Sequence, residues 1–529
     1  MRKLIVLGVV LLGFVFPSAG ASYYTARPDD PDAVYLAQDR FSVRGDGIAD
    51  DSAAIQAAID RVQETTGEGI LFIPRGRYRV TRTIYVWPGV RLIGYGEKRP
   101  VFVLADNTPG FQQGVGCMFF FAGFRLNRGA AGAGGAAGPA FPGRGFRLPP
   151  PPGTVPPNPA VADANSGTFY SAMSNIDFEI GSDNAAAVAI RFHVAQHGYL
   201  AHMDFQIGSG LAALHEVGNE GEDLHFHAGR YGILARKPSP AWQFTLIDST
   251  FDGQREAAIR ENEAGLTLVH DEFRNVPTAI SIDPRYSDQL WVKDARFENI
   301  GGPAILIGNE NNRMTQINLE DIVCRNVPIF ARFRESGRQL AGAGEIYRVK
   351  VLSHGLTLPA LGATGEIKTS YDAAPLATLP PPTPEAIRGL PPMAAWVNLR
   401  TLGAKGDGVT DDTAVIRKAI AEHRVLYIPS GRYVVTDTIG LRPDSVIVGL
   451  HPDRTQFDIL DSTPAFQGPG APKPLLEAPR GGDNIVTGVG LYTGGINSRA
   501  VGALWMAGKD SLMDDVRFLG GHGTLGPDG

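Results

Sequence analysis

The sequence predicts an all-β protein built as two tandem parallel β-helices, the second incomplete, each with a capping helix at its N-terminal end. Three observations carry this prediction. One segment occurs twice, phenylalanines recur every 21 to 27 residues after the first copy, and each copy places an amphipathic helix before short β-rich runs. A fixed internal repeat indicates stacked units that bury apolar faces against one another, and the ends of such stacks need caps.

The duplicated segment begins at Phe41 and again at Leu402. Both copies read Gly-Asp-Gly, then Asp-Asp-Ser or Asp-Asp-Thr, then a helical apolar pattern, and both continue into Ile-Pro-x-Gly-Arg-Tyr. Glycine supplies the positive φ of a turn, and Asp51 stands where a helix N-cap is expected. Apolar residues at i, i+3, i+4 and i+7 from Ile55 predict one buried helical face. We interpret the aspartates as turn and cap residues, because a calcium site needs six or more oxygen ligands.

These motifs resemble the opening of the pectate-lyase-like right-handed β-helix superfamily, in its rhamnogalacturonase/epimerase-like form. Two such openings in one chain resemble the tandem proteins typified by the family 55 β-1,3-glucanases. The resemblance implies two right-handed parallel β-helices, a β-glucan or pectin-like polysaccharide as partner, no cofactor and no metal. It further implies an exo-β-1,3-glucanase-like glycoside hydrolase that inverts configuration, with a general acid from later coils of the second helix.

Two alternative functions stay open beside that one, because one fold carries many chemistries. The first is a pectin or rhamnogalacturonan lyase or hydrolase. The second is a non-catalytic carbohydrate-binding or cell-surface protein. Whether the chain is an enzyme is therefore undecided at the level of sequence.

The N-terminus indicates export. A basic start at Met1–Lys3, an apolar run from Leu4 to Phe16 and small residues up to Ala21 predict a secretory signal peptide over 1–21. We expect a secreted protein, extracellular or periplasmic, that is monomeric and leaves the membrane after cleavage. The net charge of −6 argues against nucleic acid as a partner. Cys117 and Cys324 are expected to be buried free thiols, since two cysteines make no disulfide framework.

Changes in composition along the chain predict its domains. We expect a first β-helix domain at 38–370, with a flexible Gly/Ala/Pro-rich insertion at 128–160. A Pro-rich linker at 371–395 and a second, truncated β-helix domain at 396–529 follow. An inward ladder is expected from Phe178, Phe205, Phe226, Phe251, Phe273 and Phe297. After its cap, the second domain has room for roughly two coils, so we expect the 529 residues to be a fragment that is inactive or incomplete.

The candidate site residues lie in the first helix, with the general acid itself expected beyond residue 529. Gln243 resembles a glutamine that points into the cleft of the family 55 glucanases, although a backbone hydrogen bond within its own coil is the alternative. Glutamates on neighbouring turns are candidate acids and bases, with surface ion pairs as the alternative. The catalytic candidates are Gln243, Glu256, Glu261 and Glu263, and the substrate-binding candidates are Trp242, Arg255, Gln254 and His193.

Asp514 and Asp515, followed by Gly521-His-Gly523, resemble part of the polygalacturonase motif. The Asn-Thr-Asp and Arg-Ile-Lys elements of that motif are absent from the sequence, and the spacing is short. We therefore do not expect a polygalacturonase, because a catalytic motif counts only in its full context.

Overall fold

The computed structural model describes residues 21–125, 158, 160–235, 243–262, 265–285, 287–384 and 387–521. The protein is rich in β-strands that pair mostly in parallel, and the all-β class expected from the sequence is confirmed. Residues 1–20 of the predicted signal peptide, and all of the predicted insertion except Asn158 and Ala160, lie outside the described residues. In the part of the chain that is described, no helix is both long and apolar enough to cross a membrane.

The first stack of strands has three faces, which we call the first, second and third face. The first face contains Val34–Tyr35, Gly69–Pro74, Val90–Tyr95, Ala172–Ser174, Phe244–Ile247, Leu266–Val269 and Gln289–Lys293. The second contains Asp46–Asp50, Arg77–Arg79, Val101–Leu104, Asp177–Ile180, Thr250–Asp252, Glu272–Val276 and Arg296–Ile300. Three longer strands run through both faces: Tyr199–Gly208, Glu220–Ala228 and Gln316–Arg325.

The third face is a separate sheet. Its parallel strands are Ile84–Val86, Gly116–Arg125, Ala187–Arg191, Ala212–His215, Tyr231–Leu234, Ala257–Glu261, Ile280–Ile282, Pro303–Ile307 and Ile329–Phe333. Val161–Asp163 and Gln339–Ala341 join it antiparallel. The first stack ends in a long antiparallel hairpin, Ile346–Thr357 with Glu366–Pro375. Strand Glu366–Pro375 overlaps the first residues of the predicted linker at 371–395, and Tyr371 packs in the hairpin against Phe330.

The second stack has three smaller sheets. One holds Val397–Asn398, Val425–Tyr427, Val446–Val448, Ile485–Thr487 and Leu512–Asp514. Another holds Asp407–Asp411, Gly431–Val434, Thr455–Asp458, Gly490–Tyr492 and Arg517–Leu519. The last holds Ile439–Gly440, Lys473–Ala478 and Ala500–Trp505.

Within the described ranges, the helices are few and most are short. The α-helices are Gln38–Phe41, Ser52–Thr66 and Thr413–Glu422, and the 3₁₀ turns are Met393–Ala395, Leu399–Leu402 and Pro464–Phe466. Helix Ser52–Thr66 buries Ile55, Ala58, Ile59 and Val62 in the main core, as the spacing of its apolar residues requires.

Asp51 occupies the N-cap position but makes no side-chain cap bond, which corrects the expectation from sequence. Its carboxylate instead accepts the backbone N–H groups of Arg44 and Gly45, at 2.7 and 2.9 Å, and so binds the Gly-Asp-Gly turn to the helix. Asp412 repeats this arrangement in the second copy, with the N–H groups of Lys405 and Gly406. The duplicated acids thus satisfy backbone donors, as turn chemistry predicts.

The phenylalanine ladder is confirmed. All six rings are at most 1 % exposed, and successive ring centroids are 4.5 to 5.5 Å apart: Phe178, Phe205, Phe226, Phe251, Phe273 and Phe297. Cys117 and Cys324 are buried and unpaired, also as expected. The ladder fixes the register of the coils, because a shift of one residue would turn every ring toward solvent.

The corner between the first and second faces is made by single residues in the left-handed region. His202, Asp223, Asp248 and His270 all have φ between 50° and 63°, a conformation in which Asn, Asp and His are enriched. Neighbouring corners also bond to each other, His202 Nδ1 to Asp223 at 2.8 Å and His270 Nδ1 to Asp248 at 2.5 Å. These bends turn the chain from the first face into the second face.

The outward side of the first face packs on the second stack through one apolar cluster. Ile70, Phe72 and Ile93 from the first stack meet Val446 and Val448 from the second. This contact sets the two stacks side by side at their N-terminal coils. The site described next lies immediately beyond it.

A candidate active site in the cleft between the two stacks

A cavity of about 510 Å³ lies between the first face and the second stack. Four separate parts of the chain line it: the N-terminal segment, the first stack, the second stack and the segment that joins the stacks. The polar or charged residues among its lining are Tyr23, Tyr24, Ser174, Gln196, His197, Tyr199, His202, Asn219, Glu220, Glu222, Arg388, Thr487, Asp514 and Asp515. No single stretch of sequence builds this site.

Strand geometry brings three carboxyl groups to the cavity. Glu220 and Glu222 flank Gly221 on one strand, so both side chains point out of the same face. The left-handed bend at Asp223 then interrupts the alternation, and Leu224 points into the core. Asp514 ends the facing strand Leu512–Asp514 of the second stack. All three side chains are partly exposed to the cavity.

The environment of these carboxyls favours their protonated form. Burial and the neighbouring charges of Asp514 and Glu220 raise the pKa of Glu222 to about 9. Burial, with the charges of Asp514 and Asp515, also raises the pKa of Glu220. Burial and the charge of Asp515 raise the pKa of Asp514. Acids this close titrate as a group, so the cluster retains protons at neutral pH.

Every N–H group of Arg91, the buried arginine beside the cavity, already has a hydrogen-bond partner. Arg91, which is fully buried, donates to both carboxylate oxygens of Asp515, at 2.5 and 3.0 Å. Its remaining N–H groups bond the carbonyl oxygens of Tyr170, His197 and Leu450. Arg91 therefore ties the two stacks together and neutralises Asp515, but it leaves the other cleft acids uncompensated.

The catalytic candidates from the sequence are not brought together by the fold. Gln243 is exposed and precedes strand Phe244–Ile247, whose Thr245 is in register with Glu220, so it lies one coil from the cleft. Glu256 is exposed on the third face and pairs with Arg230 at 2.5 Å. Glu261 is fully buried in the interior, where substrate does not reach it. Glu263 lies outside the described residues.

The predicted substrate-binding residues mostly serve the fold. Gln254 is 1 % exposed and donates to the carbonyl oxygen of Phe226 at 2.9 Å, which is the backbone role that buried amides commonly take. Arg255 donates to the carbonyl oxygens of consecutive turn residues at 208 to 210. His193 stands 3.9 Å from Asp163. Trp242 lies outside the described residues, and none of Gln254, Arg255 and His193 lines the cavity.

Sequence reasoning missed Glu220, Glu222 and Arg91. Strand alternation from Leu224 and Phe226 would place both glutamates inward, and only the left-handed bend at Asp223 turns them toward the cleft. The sequence indicates a role for Asp514 only within an incomplete polygalacturonase motif. That these acids face one another depends on how the two stacks meet.

Known proteins resemble the chain mainly in short segments. A "Pre-neck appendage protein" of Bacillus phage B103 is 41 % identical over 68 residues, 13 % of this chain and 8 % of that protein. A "Glucan 1,3-beta-glucosidase" of Cochliobolus carbonum is 33 % identical over 95 residues, 17 % of this chain and 12 % of that protein. The chain thus spans only a small part of these relatives.

Among solved structures, the catalytic unit of a GH87 α-1,3-glucanase from Streptomyces thermodiastaticus aligns with a TM-score of 0.38 at 12 % identity, covering 95 % of this chain and 70 % of that one. The family model described as "Rhamnogalacturonase A/epimerase, pectate lyase-like" matches residues 39–117 and 396–471, the two copies of the duplicated segment. The match to this family model is confined to the two copies of the duplicated segment.

Proposed function

We propose that the protein is a secreted glycoside hydrolase built of two tandem right-handed parallel β-helices, each closed by its N-terminal helix, and that it cleaves a polysaccharide in the cleft between them. The observation that carries the proposal is the cluster of Glu220, Glu222 and Asp514 in that cleft. A group of carboxyls with pKa values pushed apart by their surroundings is the arrangement that acid and base catalysis requires.

The three carboxyls suit different roles in an inverting reaction. Glu222 holds its proton most firmly of the three and is the proposed general acid, which gives that proton to the leaving glycosidic oxygen. Asp514, on the opposite wall, is the proposed base that takes a proton from the attacking water. The sugar carbon then exchanges its bond to the leaving oxygen for a bond to water. Glu220, whose pKa is raised by burial and by the charges of Asp514 and Asp515, also keeps a proton and can donate a hydrogen bond to a sugar hydroxyl.

The charge of the cleft favours a neutral glycan. Arg91 is occupied by Asp515, and Arg388, at the rim, bonds the side chain of Asp483 and the carbonyl oxygen of Asp510. Both arginines are already in ion pairs, so the carboxylates of a polyuronate would have to compete with Asp515 and Asp483 for them. The similarity to a glucan 1,3-β-glucosidase over 95 residues points the same way. We therefore propose a β-glucan as substrate, with exo-β-1,3-glucanase-like action.

The test is to incubate the 529-residue protein with laminarin, and separately with polygalacturonate and rhamnogalacturonan. New reducing ends from laminarin are expected, and Glu222→Gln should lower that rate roughly 10²–10⁴-fold. Glu97→Gln is the matched control, because Glu97 is an exposed glutamate that does not line the cavity. Unsaturated products from the uronate polymers would instead indicate a lyase, and binding of laminarin without sugar release would indicate a carbohydrate-binding protein.

Glu256→Gln separates the cleft from the carboxylates of the third face. A loss of turnover in that variant, with Glu222→Gln unaffected, would place the chemistry at the turn that carries Glu256. Absence of sugar release from any polymer would overturn the proposed hydrolysis.

A further inference from the structure

The chain from Ser22 to Leu36, here called the N-terminal arm, is fixed to the first stack. The backbone N–H of Tyr23 donates to the side-chain oxygen of Asn175 at 2.7 Å, and the N–H of Gly96 donates to the carbonyl oxygen of Tyr24 at 2.9 Å. Further on, Tyr35 pairs with Phe72 in the first face. Hydrogen bonds and strand pairing therefore hold the arm against the first stack along its length.

The same arm is fixed to the second stack. Asp30, only 3 % exposed, accepts hydrogen bonds from the backbone N–H and the hydroxyl of Ser430, both at 2.9 Å. Asn398 donates to the carbonyl oxygen of Asp29 at 3.0 Å. Tyr24 lies within the apolar cluster that joins the stacks and meets Trp396 edge-on. Contacts on both sides hold the arm rigidly between the two cleft walls.

Tyr23 projects from this arm into the cleft. Its ring stacks on His202, with centroids 3.8 Å apart and planes 12° from parallel, so the ring has little freedom. Its phenol oxygen accepts the backbone N–H of Leu390 at 3.0 Å. A phenol that accepts in this way still has its own hydrogen to donate. Both partners, His202 and Leu390, also line the cavity, so the hydroxyl group stands at the edge of the space where substrate would sit.

The hydroxyl keeps its proton in these surroundings. Burial, together with the charges of Glu222, Asp514 and Asp223, raises the pKa of Tyr23, although the bond from Leu390 opposes the shift. The group is therefore a neutral hydrogen-bond donor across the range in which proteins are stable. A fixed neutral donor beside acidic groups suits a sugar hydroxyl better than an anion.

We propose that Tyr23 is a substrate-binding residue, which donates its hydroxyl hydrogen bond to a sugar hydroxyl and so sets how the glycan lies over Glu222. This inference rests on the proposed function of the cleft, and it adds that the N-terminal arm supplies part of the binding site. Substrate affinity then depends on a residue of the N-terminal arm, far in sequence from Glu222 and Asp514.

The test measures binding separately from hydrolysis. Laminarihexaose is titrated calorimetrically into the full chain, into Tyr23→Phe and into the matched control Tyr95→Phe. Tyr23→Phe keeps the stack on His202 and removes the hydroxyl only. Tyr95 lies near the same interface, against Phe72, but does not line the cavity. We expect Tyr23→Phe to weaken binding about 10-fold, the usual effect of one hydrogen bond, and Tyr95→Phe to bind like the unchanged protein.

The outcomes separate the two proposals. Equal affinity of the unchanged protein and Tyr23→Phe, or equal losses in both variants, overturns the inference about Tyr23, as does failure of the unchanged protein to bind the oligosaccharide. Binding without sugar release, with the 10-fold difference intact, overturns the hydrolase proposal alone. Thermal unfolding of each variant confirms that it is folded, since neither change removes a packed ring.

Discussion

Replacing Arg91 by Met should separate the two stacks, and the structure gives the size of the effect. The change removes a bidentate bond to Asp515 and leaves the carbonyl oxygens of Tyr170, His197 and Leu450 without their donor. Breaking one buried ion pair while its partner stays buried costs about 3–5 kcal/mol. We therefore expect a loss of at least about 3 kcal/mol in the free energy of unfolding of the interface.

The assay is urea unfolding at neutral pH, followed by the fluorescence of the tryptophans. The control is Arg75→Met, because Arg75 forms an exposed pair with Glu97 in which the arginine side chain is 60 % exposed. Pairs of that kind contribute about 0–1 kcal/mol. The double variant Arg91→Met with Asp515→Leu should recover part of the loss, since it leaves no buried carboxylate unpaired at this point. Equal effects of Arg91→Met and Arg75→Met would refute the assignment of Arg91 as the link between the stacks.

Three further predictions concern the stability of the first stack. Burial, reinforced by the charge of Asp288, raises the pKa of Glu261 well above its ordinary value of 4.5. The folded state therefore binds this proton more tightly than the unfolded state, and stability falls as pH rises above 4.5. Glu261→Gln should flatten that decline between about pH 5 and 8 in thermal unfolding, and an unchanged pH slope would contradict the prediction. Phe226→Ala should cost about 3–5 kcal/mol by leaving a cavity in the ladder. Phe518→Ala, at a site 54 % exposed, should cost much less in the same denaturant titration. Asp51→Ala should cost about 1–3 kcal/mol, because the N–H groups of the preceding turn lose their acceptor, and a neutral result would show that water replaces it.

The sequence by itself determined the local architecture. Helix Ser52–Thr66 and the phenylalanine ladder follow from apolar periods of 3.6 and of one coil, which are properties of neighbours along the chain. The turn role of the duplicated aspartates could also be predicted, because the turn preferences of glycine and aspartate are local properties of those residues. Only the detail of the cap was missed at Asp51, where a tertiary contact to the turn replaced the local bond.

Tertiary structure alone decided the candidate site. Glu222 and Asp514 are almost three hundred positions apart in the chain. Burial between the two stacks raises the pKa values of both carboxyls. No local sequence pattern encodes that burial. The glutamates that looked catalytic from their spacing separated into an exposed ion pair at Glu256 and a buried carboxyl at Glu261. Local spacing determines which way a side chain points, but its partner depends on how distant coils pack. That packing also places Tyr23 at the same cleft.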